Sequence, residues 1–78
     1  MKLTERRRKL EERQRAYERE IRRCKRLSVE LKGIDPEKAS AARRRAVELN
    51  KKYVNFSRES GIAYYPERTK ILDKAKGL

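Results

Sequence analysis

The chain has 78 residues, a formal net charge of +12 at pH 7 and a charged fraction of 46%. A chain of this length forms one small domain with a limited core, and so strong a positive charge predicts attraction to nucleic acid, an acidic protein surface or an anionic membrane. Histidine is absent and cysteine occurs once, which excludes an internal disulfide and removes the usual catalytic and metal-binding constellations. We therefore expect neither an enzyme nor a cofactor-binding protein.

The first segment, about residues 4–32, carries sparse non-charged residues at helical spacing. They recur at intervals of three and four and form one stripe along a helix. Because Cys24 belongs to this stripe and has no second cysteine or histidine as a partner, we interpret it as a small buried hydrophobe. The stripe consists of Leu10, Gln14, Tyr17, Ile21, Cys24, Ser28 and Leu31.

A turn is predicted at residues 33–36. Gly33 suits a helix C-terminal cap, Asp35 suits an N-cap, and Pro36 suits the first position of a helix. The second helix is expected over about residues 36–60, with Gly61 as its C-cap. Its stripe consists of Ala39, Ala42, Ala46, Leu49, Tyr53 and Phe56.

The short turn makes the two helices antiparallel neighbours, so facing stripe residues have position numbers with a constant sum. The flanking charges, Glu20 with Lys52 and Arg13 with Glu59, favour this register. The sequence therefore predicts an all-α fold, an antiparallel helical hairpin with coiled-coil-like packing. The facing pairs are Leu31 with Ala39, Ser28 with Ala42, Cys24 with Ala46, Ile21 with Leu49, Tyr17 with Tyr53 and Gln14 with Phe56.

The tail, residues 61–78, is expected to fold back against the hairpin. Val47 and Val54 form a second stripe beside the main one, and this stripe needs an apolar cover. Pro66 could begin a short third helix over residues 66–74. The alternative role of the tail tyrosines is stacking on nucleic-acid bases. The apolar residues available for the cover are Ile62, Tyr64, Tyr65, Ile71 and Leu72.

Two groups of basic residues are candidate binding sites for a polyanion or a protein partner. In the predicted register Lys25 faces Arg43, and an anion between them, such as a phosphate or a partner's carboxylate, would relieve the repulsion. The second group is the basic run near the N-terminus, which could contact phosphates. The alternative for both groups is a solvated helix face. The candidates are Arg22, Lys25, Arg26, Lys32, Arg43, Arg44, Arg6, Arg7 and Arg8.

Two stretches of the chain carry a family resemblance. Residues 15–26 read RAYEREIRRCKR, and residues 49–61 end in FSRESG. They resemble a Q-R-x-x-E-R-x-I-R-x-x-K-R-like helix and a closing R-x-F-x-x-x-T-G segment near the C-terminus of tailed-bacteriophage minor capsid (head morphogenesis) proteins. The chain departs from this pattern at Ser60 and at Tyr65-Pro66. The matching positions are Gln14, Arg15, Glu18, Arg19, Ile21, Arg22, Lys25, Arg26, Phe56 and Gly61.

The resemblance implies a non-enzymatic phage or prophage component that acts in virion assembly, in the virion or the host cytoplasm. Its implied partners are a capsid or portal protein and packaged DNA, and the chain would be the C-terminal domain of a longer protein. Assembly into a homo-oligomer would supply burial that a small chain lacks. The alternative function is a stand-alone DNA-binding or RNA-binding regulator. A membrane-surface helix is disfavoured, because the apolar stripe is narrow and already matched by its partner helix.

Overall fold

The computed structural model describes residues 2–71, and the side chains of residues 4–71. Helix α1 spans Lys2–Glu30, helix α2 spans Pro36–Ser60, and a 3₁₀ helix spans Pro66–Thr69. The two α-helices pack against each other, and the 3₁₀ helix packs against α1. The predicted all-α helical hairpin is confirmed.

The turn between the helices is tight, but Gly33 is not a left-handed cap. Helix α1 ends at Glu30, and the N–H of Asp35 donates to the Leu31 carbonyl at 2.7 Å. Within residues 2–71 the positive φ belongs to Gly61, so the predicted role of Gly33 is wrong. The physical reason is that hydrogen bonds to the Leu27 and Leu31 carbonyls close the turn without a left-handed residue.

Both ends of α2 carry the caps that the sequence predicts. The Asp35 side chain accepts a hydrogen bond from the Lys38 N–H at 3.2 Å, and Pro36 occupies the first helical position. At the other end Gly61 has a φ of 77°, and its N–H donates to the Ser57 carbonyl at 3.0 Å. These local signals therefore fix where α2 starts and stops.

The core lies along the predicted seam between the helices. Tyr17 and Tyr53, which the register places opposite each other, stack with ring centroids 6.0 Å apart and planes 7° apart. Ile21 and Tyr53 are fully buried. On α2 the buried seam residues nearest the turn are alanines, Ala39 and Ala46. The buried cluster consists of Ile21, Cys24, Ala46, Leu49, Tyr53, Phe56 and Ile62.

The ion pairs differ from the predicted ones. Within residues 4–71 neither Glu20 with Lys52 nor Arg13 with Glu59 forms an ion pair. Long exposed side chains gain little by pairing and lose rotamer freedom. The register therefore depends on the apolar seam. The pairs that form are Arg7 with Glu11, Asp35 with Lys38, and Glu18 with Arg68.

The tail folds back on the hairpin, as predicted. Ile62 is buried, and the Tyr64 ring meets the Tyr53 ring edge-on at 4.9 Å. The Tyr64 hydroxyl donates to Asn50 Oδ1 at 2.8 Å. Val47 nevertheless remains 52% exposed, so the predicted cover over the second stripe is wrong there. Hydrogen bonds from Arg22 and Lys25 of α1 hold the tail to one side of the second stripe.

The third helix is shorter than predicted. The sequence predicts a helix over residues 66–74, whereas the 3₁₀ helix ends at Thr69 and Lys70 is extended, with a ψ of 141°. The Thr69 hydroxyl donates to the Pro66 carbonyl at 2.8 Å, a local bond that competes with helix continuation. Leu72 and the rest of the predicted helix lie outside the described residues.

Candidate functional site

A buried polar network joins both helices to the tail. The Tyr53 hydroxyl donates to Glu18 Oε2 at 2.6 Å and accepts from Gln14 Nε2 at 3.2 Å and from the Tyr65 N–H at 3.3 Å. Gln14 Nε2 also donates to the Ala63 carbonyl at 2.6 Å. One donor and two acceptor sites complete the bonding capacity of a hydroxyl. We name Gln14, Glu18 and Tyr53 the tail latch, because together they fix the start of the tail.

The protonation state of Tyr53 suits this role. Burial raises the pKa of the Tyr53 phenol above its ordinary value, and the hydrogen bond to Glu18 raises that pKa further. The phenol therefore stays protonated near neutral pH and keeps donating to the carboxylate. Glu18 itself is only 4% exposed, so this donor compensates for part of the cost of burying its charge.

Basic side chains of α1 hold the 3₁₀ helix. Arg22 Nη1 donates to the Arg68 carbonyl at 2.7 Å, and Lys25 Nζ donates to Thr69 Oγ1 at 3.4 Å. Arg68 Nη1 in turn lies 3.8 Å from Glu18 Oε2. Two of the candidate partner-binding cations, Arg22 and Lys25, thus also support the tail.

The tail forms one wall of an open groove of about 520 Å³, which we name the basic groove. Its cations are Lys25 from α1, Arg43 from α2 and Lys70 from the tail, and no carboxylate of the described residues lines it. Within it Val29 is 61% exposed and Val47 is 52% exposed. The groove therefore combines positive charge with uncovered apolar surface. Its apolar lining consists of Val29, Ala46, Val47, Tyr64, Pro66 and Ile71.

The structure brings together only part of the predicted set. Lys25 and Arg43, predicted to face each other, line the basic groove together. Arg22 and Arg26 line a shallow hollow along α1 that also includes other arginines of that helix. A further hollow lies near the start of α1 and is lined in part by Arg7 and Arg8. The remaining candidates are exposed and line none of these three concavities: Arg6, Lys32 and Arg44.

Three residues of the site are not among those predicted from the sequence: Glu18, Thr69 and Lys70. A signal for the network was present, because Tyr53 and Gln14 lie on the predicted seam and carry polar groups that need partners when buried. No comparable signal marks Thr69, whose burial at 2% exposure depends on where the tail lies.

Cys24 is buried as predicted, and burial raises the pKa of its thiol. Among the described residues no cluster of three or more acidic or cysteine side chains could hold a metal ion. None of the helices in residues 2–71 combines the length and apolar character needed to cross a bilayer.

No protein-family model, curated protein or solved structure matches the chain.

Proposed function

We propose that the chain is a non-enzymatic structural module of a phage or prophage head, which holds an anionic partner through its basic surface. The observation that supports binding is the basic groove, where Lys25, Arg43 and Lys70 stand together with no carboxylate of the described residues beside them. Gathering like charges is costly, and an anion in the groove offsets that cost.

The phage-head setting comes from the sequence. Residues 15–26 and 49–61 resemble the C-terminal region of minor capsid proteins, and this resemblance is the basis for proposing a virion or procapsid. The partner is then a capsid or portal protein, or packaged DNA, in the virion or the host cytoplasm. The net charge of +12 suits either kind of partner.

A binding role also agrees with the state of the two groups whose pKa is raised. The Tyr53 phenol is bound to Glu18, and the Cys24 thiol is only 7% exposed. A raised pKa makes each a poorer source of a nucleophilic anion at neutral pH. Neither residue lines the basic groove.

Co-sedimentation with procapsids, compared with binding to random-sequence DNA, tests the proposal. Arg43→Glu should weaken co-sedimentation, and Lys25→Glu combined with Arg43→Glu should abolish it. The matched control is Arg45→Glu combined with Lys52→Glu, which makes the same change of charge on exposed side chains that lie outside the groove and are not candidate binding residues. Circular dichroism checks that each variant remains helical, since Lys25 also contacts Thr69.

The result that would overturn the proposal is an equal loss in both double variants, because binding would then follow total charge and not the groove. Unchanged co-sedimentation in the groove variants would overturn it as well. Arg43→Glu alone leaves the contact between Lys25 and Thr69 in place. Its outcome therefore separates a weakened groove from a displaced tail.

A second function, a stand-alone DNA-binding or RNA-binding regulator, is favoured by the arginines along α1. Four arginines, with Leu27 and Glu30, line one hollow of that helix, and such a row of arginines suits contacts with a phosphate backbone: Arg19, Arg22, Arg23 and Arg26. This function predicts sequence-specific binding whose affinity falls steeply with salt. Binding of that kind without any association with procapsids would favour it over the head module.

A further inference from the structure

We propose that the basic groove binds an acidic amphipathic helix of a protein partner. The inference rests on the proposed function, because the groove belongs to the same basic surface, and it names the chemistry of the partner. Three features of the groove carry it: the cations on its walls, the valines between them and the absence of free backbone in the adjoining helices.

The cations select an acidic partner. Lys25 lies on α1, Arg43 on α2 and Lys70 in the tail after the 3₁₀ helix, so the cations come from different walls of the groove and do not form one row along a single helix. Carboxylates on one face of a helix recur at every turn and could meet cations placed around a groove. A second copy of this chain suits the groove poorly, because each copy carries a net charge of +12.

The apolar surface selects a protein over a nucleic acid. Val29 and Val47 are more than half exposed within the groove, and a phosphate backbone would leave them uncovered. The Tyr64 ring is not available to stack on a nucleic-acid base, because it is half-buried against Tyr53 and its hydroxyl is bound to Asn50. Apolar side chains flanked by carboxylates fit both features of the surface.

The neighbouring backbone selects a helix over an extended segment. Adding a strand requires free N–H and C=O groups along an edge, whereas those of α1 and α2 are bonded within each helix. Among the described residues, the tail wall beyond the 3₁₀ helix consists of Lys70 and Ile71, which is too short an edge for a strand. A helix laid in a groove instead presents apolar side chains at intervals of three and four. The tail residues 72–78 are a weaker match, since they carry two lysines and one aspartate.

Fluorescence anisotropy with a labelled synthetic peptide tests the inference on the full chain. The probe is a helical peptide of about 14 residues, roughly four turns, built from Glu, Ala and Leu with the leucines on one face. We expect Val47→Ser to weaken its binding about tenfold, as for a contact at the centre of an interface. Ile34→Ser is the matched control, because Ile34 is 81% exposed but lies in the turn outside the groove. It should leave the affinity unchanged within about twofold.

Two further probes separate the chemistry of the ligand. A peptide of the same charge with serine in place of leucine should bind at least about tenfold more weakly than the leucine peptide. Equal binding of the two peptides would overturn the inference, because charge alone would explain it. A DNA oligonucleotide that binds more tightly than the leucine peptide, and is sensitive to Arg43→Glu but not to Val47→Ser, would also overturn it in favour of a nucleic acid.

Other conceivable occupants of the groove are residues 72–78 of the same chain and a second copy of the chain. Nuclear Overhauser contacts between residues 72–78 and Val47 in the free protein would overturn the inference, as would self-association that Val47→Ser abolishes. Failure of the peptide to bind, with procapsid co-sedimentation retained in Val47→Ser, overturns the inference alone. Peptide binding that depends on Val47 supports the inference even where procapsid co-sedimentation fails, and that failure contradicts only the phage-head role.

Discussion

The Tyr53 hydroxyl donates a 2.6 Å hydrogen bond to the Glu18 carboxylate across the two helices. The same hydroxyl accepts the Tyr65 N–H at 3.3 Å, so a single oxygen joins α1, α2 and the tail. The Tyr53 ring that carries this hydroxyl stacks on the Tyr17 ring, and Tyr53 belongs to the buried seam. The apolar seam sets the register of the helices, and the Tyr53 hydroxyl adds a polar contact between them and holds the start of the tail, which forms one wall of the basic groove.

Removing that hydroxyl should destabilise the protein. We expect Tyr53→Phe to lower the free energy of unfolding by about 2 kcal/mol, because Glu18, Gln14 and the Tyr65 N–H lose a buried partner. Urea unfolding followed by circular dichroism measures the change. The ring itself is retained, so the loss reports mainly on the polar network.

Tyr64→Phe is the control for that substitution. It removes one hydroxyl whose single partner, Asn50, is half-buried, and we expect a loss of about 0.5–1 kcal/mol. Equal free energies of unfolding for the two variants would contradict the larger stabilisation assigned to the network around Tyr53.

The seam could be predicted from the sequence, because the stripes of α1 and α2 follow helical spacing and the turn between them is short. Tyr17 therefore meets Tyr53 in the predicted register. The flanking charges were less informative. Glu18 lies four residues before Arg22, which suggests an exposed pair within α1, yet it is buried and pairs with Arg68. Its partner comes from the tail, and periodicity contains no information on where a non-helical segment lies.

The basic groove could be predicted only in part for the same reason. Lys25 and Arg43 follow from the register of the helices, whereas Lys70 and Ile71 reach the groove through the path of the tail. That path depends on bonds to carbonyl groups, such as Gln14 to Ala63 and Arg22 to Arg68. Carbonyls are present at every residue, so the sequence does not mark these acceptors.

Alkaline pH should weaken the contribution of Tyr53. The folded-state pKa of its phenol is raised above the ordinary value of 10.0, chiefly by burial. The stabilisation is therefore complete below that ordinary value and is lost as the pH rises through the raised folded-state pKa. We expect the difference in urea midpoint between the unaltered protein and Tyr53→Phe to shrink above about pH 10. A difference that stays constant to higher pH would contradict this reasoning.

The two described glycines should respond oppositely to alanine. Gly61 has a φ of 77°, so Gly61→Ala should cost about 1 kcal/mol through backbone strain, although the added Cβ meets no atom within 4 Å. Gly33 also has open space, without a positive φ. Gly33→Ala should therefore be neutral or stabilise by up to about 0.5–1 kcal/mol, because it restricts the unfolded chain. Thermal or urea unfolding compares the signs, and equal losses would show that the turn also requires glycine.

Cys24 should react slowly with thiol reagents. It is 7% exposed, and burial raises the pKa of its thiol, so both access and thiolate population are reduced. Alkylation by iodoacetamide, followed by mass spectrometry, should become fast only in urea. The thiol introduced by Ser40→Cys, at an exposed position of α2, serves as the internal reference. Equal rates at the two thiols in the folded protein would place Cys24 outside the seam.

Hydrogen exchange of the Tyr65 amide tests most directly whether the tail is held against the hairpin. The reference is the Gly61 amide, which donates to the Ser57 carbonyl at 3.0 Å and does not depend on the tail latch. We predict that both amides are protected in the unaltered protein, and that Tyr53→Phe removes protection at Tyr65 while Gly61 keeps it. An unprotected Tyr65 amide in the unaltered protein would contradict the account, because the basic groove would then lack a fixed wall.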